Sequence, residues 1–333
     1  MKFLITGAAG FIGSALCNEL SIDGSEVVAL DSFSPYYSKS LKELRVQNLL
    51  SPFGVKIVDI NLCDKKSLID LFKKNEFDVV VHLAAQPGVR LTTKEMSKYV
   101  ESNLIGFTNV LELVIENKVP RFLYASSSSV YGRLAQTPFN EKDLNLSPQS
   151  FYGSTKLANE ILTSTAVRNS ETKARGLRFF SVYGPWGRPD MMYFRLMAGA
   201  LEKSNVNFYG DGSIKRDLTY IDDVTKHMNN LSKELVTREG GYHDVVNIGN
   251  GDPISMEKVL DEIELLTSSK IEYIKMPKNN NDIDTTSADR SVLESLIEIT
   301  NKTEFKEGIY KFYEWARSSE IRKHLDTWIQ SVN

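Results

Sequence analysis

The sequence predicts an α/β fold, in which a doubly wound parallel sheet (Rossmann-like) is followed by a smaller C-terminal α/β domain. Two observations indicate this. In the first half of the chain, short and continuously apolar segments alternate with longer amphipathic ones, which is typical of parallel strands with both faces buried. A glycine-rich turn follows the first apolar segment, and such sheets bind ligands beyond the carboxyl ends of their strands.

The first half of the chain contains five predicted strands with four helices between them. The strands are residues 2–6, 26–31, 55–59, 78–83 and 121–126, and the helices are residues 11–20, 41–50, 65–74 and 98–117.

The second half departs from this alternation. Strands at residues 176–182 and 245–249 are expected to complete the sheet, whereas the remaining elements belong to the smaller domain. We therefore predict a nucleotide-binding domain over residues 1–181, to which the strand near 245–249 returns, and a substrate domain formed mainly by residues 182–333. The other predicted elements are helices at 191–202, 222–234, 255–266 and 303–317, a strand at 270–276 and a polar loop at 278–287.

Composition excludes several functional classes. The 333 residues include 40 basic and 43 acidic side chains, for a net charge of −3, and no basic block predicts a nucleic acid or membrane partner. The apolar runs are too short to span a bilayer, and the first residues lead directly into a strand, so no signal peptide is expected. Cys17 and Cys63 lack metal or redox spacing, which favours a reducing, cytoplasmic compartment. Four scattered histidines predict no metal site.

A glycine-rich turn lies between the first predicted strand and the first predicted helix. Gly7, Gly10 and Gly13 have GxxGxxG spacing, with Phe11 and Ile12 at the start of the helix. Glycines there allow the backbone to approach a pyrophosphate, and the amides and dipole of the helix N-terminus favour negative charge. Because strand, turn and helix occur in the required order, the segment indicates a dinucleotide site rather than a ligand-free helix start.

Asp31 ends the second strand, 18 residues after Gly13. A carboxylate at this position accepts hydrogen bonds from ribose hydroxyls and repels a 2′-phosphate, so it favours NAD over NADP. A turn aspartate without a ligand has the same appearance in sequence. Further cofactor contacts are predicted after the next two strands and in the following helix. In that helix, Asn103 is either a cofactor contact or an ordinary polar residue. These residues are Asp59, Ile60, Leu83, Ala84, Ala85 and Asn103.

Tyr152 and Lys156 are four residues apart on one face of a predicted helix. Free tyrosine, with a pKa near ~10, is a poor base at neutral pH, but a neighbouring ammonium favours the phenolate. Lys156 is also within reach of a cofactor ribose, and the serines at 126–129 end the fifth strand. These serines could alternatively form only a polar loop. Because a dinucleotide turn is also present, we expect the serine hydroxyls and the Tyr152 phenol to lie together at the same edge of the sheet.

Taken in order, these motifs and the segment Val130-Tyr131-Gly132 resemble the extended short-chain dehydrogenase/reductase family, which modifies nucleotide sugars. The resemblance covers nearly the whole chain. It implies NAD as cofactor, Tyr152 as catalytic base, Lys156 as the residue that lowers the pKa of Tyr152, and Ser127 as the hydroxyl partner.

The resemblance also narrows the reaction. Ser128 and Ser129 stand where dehydratases of the family carry an Asp-Glu pair, and Ser129 also replaces a glutamate of the decarboxylases, so both reactions are disfavoured. Residues 177–192 are similar to UDP-glucuronate 4-epimerases. In that segment Arg188 suits a carboxylate because its planar fork binds two oxygens, and Ser181 adds a hydroxyl.

Further substrate contacts follow from the same resemblance. Arg216 is expected at the diphosphate and Phe208 along the uracil, where Phe208 is alternatively a core residue. Arg90, in the segment 86–90, is predicted to reach the substrate apart from the resemblance, and Ser127, Ser128 and Ser129 complete the predicted substrate set.

The expected function is NAD-dependent epimerisation at carbon 4 of UDP-glucuronate through a 4-keto intermediate. A related nucleotide-sugar 4-epimerase, a UDP-glucuronate decarboxylase and a non-catalytic dinucleotide sensor are the alternatives. The long helices predicted at residues 98–117 and around residues 152–168 resemble the pair that forms a four-helix bundle in family homodimers, although they are alternatively only a cover for the sheet.

Overall fold

A computed structural model describes residues 1–88, 95–277, 283–300 and 302–331. It confirms the predicted fold class. The strands are β1 (Lys2–Thr6), β2 (Glu26–Asp31), β3 (Ile57–Asp59), β4 (Val79–His82), β5 (Arg121–Ser127), β6 (Lys173–Phe179), β7 (Ser181–Tyr183), β8 (Val206–Tyr209), β9 (Lys215–Tyr220), β10 (His243–Ile248), β11 (Pro253–Ser255) and β12 (Tyr273–Met276).

The helices pack on both faces of the main sheet and around two smaller ones. They are α1 (Phe11–Ile22), α2 (Lys39–Arg45), α3 (Lys65–Lys73), α4 (Met96–Tyr99), α5 (Phe107–Glu116), α6 (Phe151–Ala166), α7 (Met192–Glu202), α8 (Ile221–Glu234), α9 (Met256–Thr267), α10 (Ser291–Leu296), α11 (Phe305–Ala316), α12 (Ser319–Arg322) and α13 (Leu325–Gln330). Within this described part of the chain, no helix has both the length and the apolar composition that crossing a membrane requires.

The main sheet has seven strands in the order β10-β6-β5-β4-β1-β2-β3, and each neighbouring pair is parallel. Strand β1 lies between β2 and β4, so chain connections leave it in opposite directions and open a crevice at its carboxyl end. Alternate residues of β1 supply two cores: Phe3 and Ile5 belong to one apolar cluster, and Leu4 to the other. This two-residue period is what a strand buried on both faces requires.

Two smaller sheets lie in the second half of the chain, with the orders β11-β9-β7 and β12-β8. The predicted single strand at residues 176–182 is wrong, because the chain breaks at Phe180 into β6 and β7. The first piece stays in the main sheet and the second pairs with β9. Both pieces are largely buried, so the apolar run continues across the break. The proposed division into two domains stays a prediction.

The helix predicted at residues 98–117 starts earlier and is not continuous. A π-helical segment, Val100–Gly106, connects α4 to α5. The helix α6 begins where predicted because the Ser150 side chain accepts a hydrogen bond of 3.0 Å from the Gly153 amide, an N-cap that satisfies one free helix donor. This start places Tyr152 in the first turn of α6.

Candidate active site

A cleft with a volume of about 830 Å³ opens at the carboxyl ends of the main-sheet strands and extends to β8 and β9. It brings together most of the residues predicted from the sequence. The predicted residues that line it are Gly7, Gly10, Phe11, Ile12, Gly13, Asp31, Ile60, Leu83, Ala84, Ala85, Ser127, Ser128, Ser129, Tyr152, Lys156, Ser181, Arg188 and Arg216.

The glycine positions of the turn are too tightly packed to carry side chains. A Cβ atom on Gly13 would lie 2.1 Å from the Gly7 carbonyl oxygen, and one on Gly7 would lie 2.7 Å from the Ala84 amide nitrogen. Gly7 also has a φ of 72°, which glycine adopts without strain. Gly10 precedes α1 as its N-cap and offers no capping side chain. The cradle therefore fits a dinucleotide pyrophosphate at the N-terminus of α1.

Asp31 ends β2 beside this turn. Its two carboxylate oxygens accept hydrogen bonds from the backbone amides of Ala9, at 3.0 Å, and Phe33, at 2.7 Å. These bonds fix the carboxylate at the wall of the cleft, where each oxygen keeps a further lone pair for a ligand hydroxyl. The geometry suits the recognition of a ribose diol.

Tyr152, Lys156 and Ser127 meet in the middle of the cleft. The Lys156 Nζ atom lies 5.8 Å from the centre of the Tyr152 ring and donates a hydrogen bond of 2.9 Å to the Ala125 carbonyl. Burial raises the pKa of Tyr152, while the positive charge of Arg188 and the hydroxyl of Ser127 act to lower it. Burial lowers the pKa of Lys156 to about 8, so this ammonium stays largely charged at neutral pH.

The helix that carries Tyr152 is anchored by buried polar contacts. Glu160, two turns beyond Tyr152, accepts hydrogen bonds of 2.9 and 2.8 Å from Arg178 on β6 and a further one from Ser126 on β5. Asn103 donates a hydrogen bond of 3.1 Å to Thr155. These contacts hold α6 against the sheet and preorganise its first turn.

Arg188 reaches the cleft from the loop after β7 and is already paired with Asp190. The Arg188 Nε atom lies 2.9 Å from the Asp190 Oδ1 atom, and the Nη2 atom donates to Oδ2. Burial alone would lower the pKa of Arg188, but Asp190 holds it above its ordinary value. The guanidinium carbon lies 5.8 Å from the centre of the Tyr36 ring. The result is an ion pair whose guanidinium lies close enough to Tyr152 to lower the pKa of the phenol.

Three predicted contacts lie elsewhere. Asp59 is exposed and outside the cleft lining, whereas its neighbour Ile60 belongs to it. Asn103 is buried, and its Oδ1 atom accepts a hydrogen bond of 2.7 Å from the Gln86 amide, so it braces the loop after β4. Phe208 is buried against Tyr273, with 5.2 Å between ring centres, and Asn207 and Tyr209 line the cleft instead. Strand alternation explains this, since neighbours point to opposite faces.

Two sequence predictions lie partly or wholly outside the residues that the structure describes. Arg90 lies outside the described residues, as do residues 278–282 of the predicted polar loop.

Sequence reasoning missed several polar residues of the cleft. Tyr36, Lys42, Asp190 and Arg195 all line it. Asp190 stands two residues after Arg188, so the spacing of opposite charges was a usable signal. Tyr36, Lys42 and Arg195 lie in segments whose position over the cleft depends on tertiary packing.

Comparisons with known proteins identify relatives of this chain. The model of the NAD dependent epimerase/dehydratase family matches residues 3–249. A UDP-glucuronate 4-epimerase of Arabidopsis thaliana is 39% identical over 329 residues, which cover 95% of this chain and 75% of that protein. A probable UDP-glucuronate 4-epimerase of Rhizobium meliloti is 33% identical over 97% of this chain and 99% of its own length.

A solved structure is similar throughout. The UDP-glucuronic acid 4-epimerase of Bacillus cereus, in complex with UDP-glucuronic acid and NAD, superimposes with a TM-score of 0.85 at 32% identity and covers 95% of this chain and 98% of that one. The chain belongs to the NAD-dependent epimerase/dehydratase family. It is an NAD-dependent enzyme, and the glycine turn with Asp31 fits that cofactor.

Proposed function

We propose that the protein interconverts UDP-glucuronate and UDP-galacturonate by epimerisation at carbon 4, through a 4-keto sugar. The observation that carries the proposal is the position of Arg188. Its guanidinium lines the same cleft as Tyr152 and Lys156 and is close enough to lower the pKa of the phenol. A carboxylate receptor beside an acid-base couple suits a uronic acid, and the relatives named above are similar over nearly all of this chain.

Tyr152 is proposed to move the proton of the 4-hydroxyl. NAD supplies a reversible hydride acceptor when bound, with Gly7, Gly13 and Asp31 as its holding residues. The phenolate accepts the hydroxyl proton as the alcohol is oxidised and returns a proton when the ketone is reduced on its other face. Ser127 lies beside the phenol oxygen and stabilises the proton in transit, while Lys156 favours the phenolate by its charge.

The proposed intermediate is a β-keto acid, which loses carbon dioxide most readily when the breaking bond is perpendicular to the carbonyl plane. Arg188 and Ser181 both line the cleft and are proposed to hold the carboxylate away from that alignment. Arg188 also offers a fixed point about which the sugar turns. Its own orientation is fixed by Asp190 at 2.9 Å.

The nucleotide is proposed to lie over β8 and β9. Arg216 lines the cleft there, and its Nη1 atom donates a hydrogen bond of 2.7 Å to the Ile283 carbonyl, which orients the guanidinium for a diphosphate. Asn207 and Tyr209 line the same end and replace Phe208 as candidates for base contact.

We further propose a homodimer through a four-helix bundle. Apolar side chains lie exposed along the segment from α4 to α5 and on α6, with Ile105 47% and Ile161 60% exposed. Exposed apolar residues in neighbouring helices mark an association surface. The other exposed members of this surface are Met96, Val100, Phe151 and Leu162.

The test is product analysis. The purified protein is incubated with UDP-glucuronate and NAD, and the products are resolved by chromatography with mass detection. UDP-galacturonate without carbon dioxide is the expected product. A UDP-pentose with carbon dioxide would identify a decarboxylase, whereas turnover of UDP-glucose alone would identify a related 4-epimerase. Binding without turnover of either sugar would favour a dinucleotide sensor.

A further inference from the structure

Arg45 is a buried arginine at the end of α2, with 0% of its surface exposed. Each of its described hydrogen-bond partners is a neutral oxygen. The Nε atom donates to the Trp186 carbonyl at 2.9 Å, and the Nη2 atom donates to the Gly187 carbonyl at 3.0 Å. The Nη1 atom donates to the Ala9 carbonyl at 3.3 Å and to the Tyr37 hydroxyl at 2.6 Å.

These partners belong to two parts of the site. Ala9 lies in the glycine turn, and the Ala9 amide donates to Asp31, so Asp31 and Arg45 hold this residue from its two ends. Trp186 and Gly187 directly precede Arg188. Arg45 therefore joins the cofactor turn to the loop that carries the proposed carboxylate receptor.

The loop before Arg188 has little freedom of its own to relax. Trp186 has a φ of 64°, a left-handed conformation that is unfavourable for a bulky side chain. A Cβ atom on Gly187 would lie 2.0 Å from the Tyr193 hydroxyl. Two consecutive carbonyls of this loop accept hydrogen bonds from one edge of the Arg45 fork. Such a strained turn persists where surrounding contacts determine it.

The chemistry explains why an arginine occupies this position. A planar guanidinium has five N–H donors in fixed directions, so it bonds the two consecutive carbonyls from one edge and Ala9 and Tyr37 from its remaining nitrogen. A lysine ammonium is a single point with three donors and does not span these acceptors. A fully buried cation normally pairs with a carboxylate, and none is among the partners found in the described residues.

We propose that Arg45 is a positioning residue for recognition of the uronic acid: it fixes the Trp186–Gly187 backbone against the glycine turn and thereby sets the position of Arg188. Arg45 acts without contact with the sugar, since no part of it is exposed to the cleft. The inference rests on the proposed function, in which Arg188 binds the sugar carboxylate.

The test compares Arg45→Lys with the wild-type holoenzyme. Calorimetric titration measures the Kd for UDP-glucuronate and for UDP, which lacks the glucuronate group. We expect the Kd for UDP-glucuronate to rise about 10-fold or more, because an arginine–carboxylate contact that depends on orientation loses much of its free energy. The Kd for UDP should change less than about twofold. An equal loss for both ligands would overturn the proposal, because general damage to the fold affects both.

A double-mutant cycle with Arg188→Met separates positioning from a merely structural role. If Arg45 acts through Arg188, then Arg45→Lys adds nothing to the loss of UDP-glucuronate affinity in Arg188→Met. Additive losses would contradict the proposal. If Arg188→Met itself leaves that affinity unchanged, the proposed carboxylate receptor is wrong and the inference falls with it. A loss in Arg188→Met with none in Arg45→Lys removes the inference alone.

Controls cover stability and local charge. Lys39→Arg exchanges an exposed cation on the same helix, where the side chain is 65% exposed, and should leave both dissociation constants unchanged. If Arg45→Lys does not give folded holoenzyme, Tyr37→Phe removes only the 2.6 Å acceptor of Nη1. That variant should weaken UDP-glucuronate a few-fold with UDP binding retained. Unchanged affinity for UDP-glucuronate there would overturn the proposal.

Discussion

The replacement Arg188→Met tests the proposed carboxylate receptor. It removes the guanidinium and also leaves Asp190 without its partner at 2.9 Å. Both changes weaken binding of an acid sugar. Loss of a charge-assisted hydrogen bond costs about 1.5–3 kcal/mol, and the Asp190 carboxylate, no longer neutralised by Arg188, then repels the sugar carboxylate by about 1 kcal/mol. The total of about 2.5–4 kcal/mol corresponds to a Kd for UDP-glucuronate raised about 70- to 1,000-fold.

The double variant Arg188→Met with Asp190→Asn is the matched control. It removes the repulsion but does not restore the receptor, so its affinity for UDP-glucuronate should recover by about 1 kcal/mol over that of Arg188→Met. Titration of each holoenzyme with UDP-glucuronate and with UDP-glucose supplies the assay. Binding of UDP-glucose, which has no carboxylate, should change little in either variant.

A second readout is independent of affinity. The charge of Arg188 lowers the pKa of Tyr152, so its removal should move the acid limb of the kcat profile to higher pH. Unchanged affinity for UDP-glucuronate in Arg188→Met, or an equal loss for UDP-glucose, would refute the reasoning.

Three further predictions concern catalysis, stability and assembly. Tyr152→Phe should lower kcat by about 10²- to 10⁴-fold while binding of UDP-glucuronate persists; turnover close to wild type would refute the assignment of the base. Burial lowers the pKa of His82 to about 3, so between about pH 6.5 and about pH 3 only the unfolded chain takes up this proton. Within that window the wild type should lose about 1.4 kcal/mol of unfolding free energy for each pH unit that the pH falls, relative to His82→Gln. Denaturant titrations at several pH values measure the difference, and parallel curves would contradict it. Ile161→Glu places a charge on the exposed surface of α6 and should convert a dimer to monomer in light scattering, whereas the exposed control Ile22→Glu should not; a dimeric Ile161→Glu would argue against this surface.

Much of the fold was predictable because the main-sheet strands are buried on both faces. The bounds of β1 and β2 match the predicted ones, since each is a short apolar run with polar or glycine neighbours. The break at Phe180 was not predictable, because β6 and β7 are both apolar and differ only in the sheet that they join. Strand β8 was not predicted as an element, so the sequence did not show the alternation that buries Phe208 and places Asn207 and Tyr209 at the cleft.

The residues of the site also fall into those that the sequence predicts and those that it does not. Gly7, Gly13, Tyr152 and Lys156 were predictable because their spacing along one turn or one helix fixes their relation in space. Asn103 was assigned to the cofactor because a polar helix residue in sequence does not reveal its partners, which are Gln86 and Thr155. The contacts of Arg45 lie up to 142 residues away, so they follow only from tertiary packing.

The central claim is that carbon 4 of the sugar is oxidised and then reduced with the same hydride. UDP-glucuronate with deuterium at carbon 4 tests this claim directly, when the holoenzyme is incubated with it in ordinary water and the product is examined by mass spectrometry and proton NMR. We predict UDP-galacturonate that retains deuterium at carbon 4, because a deuteride carried on a carbon atom of the bound cofactor would not exchange with water. A product with inverted carbon 4 that has lost its deuterium to solvent would contradict the account.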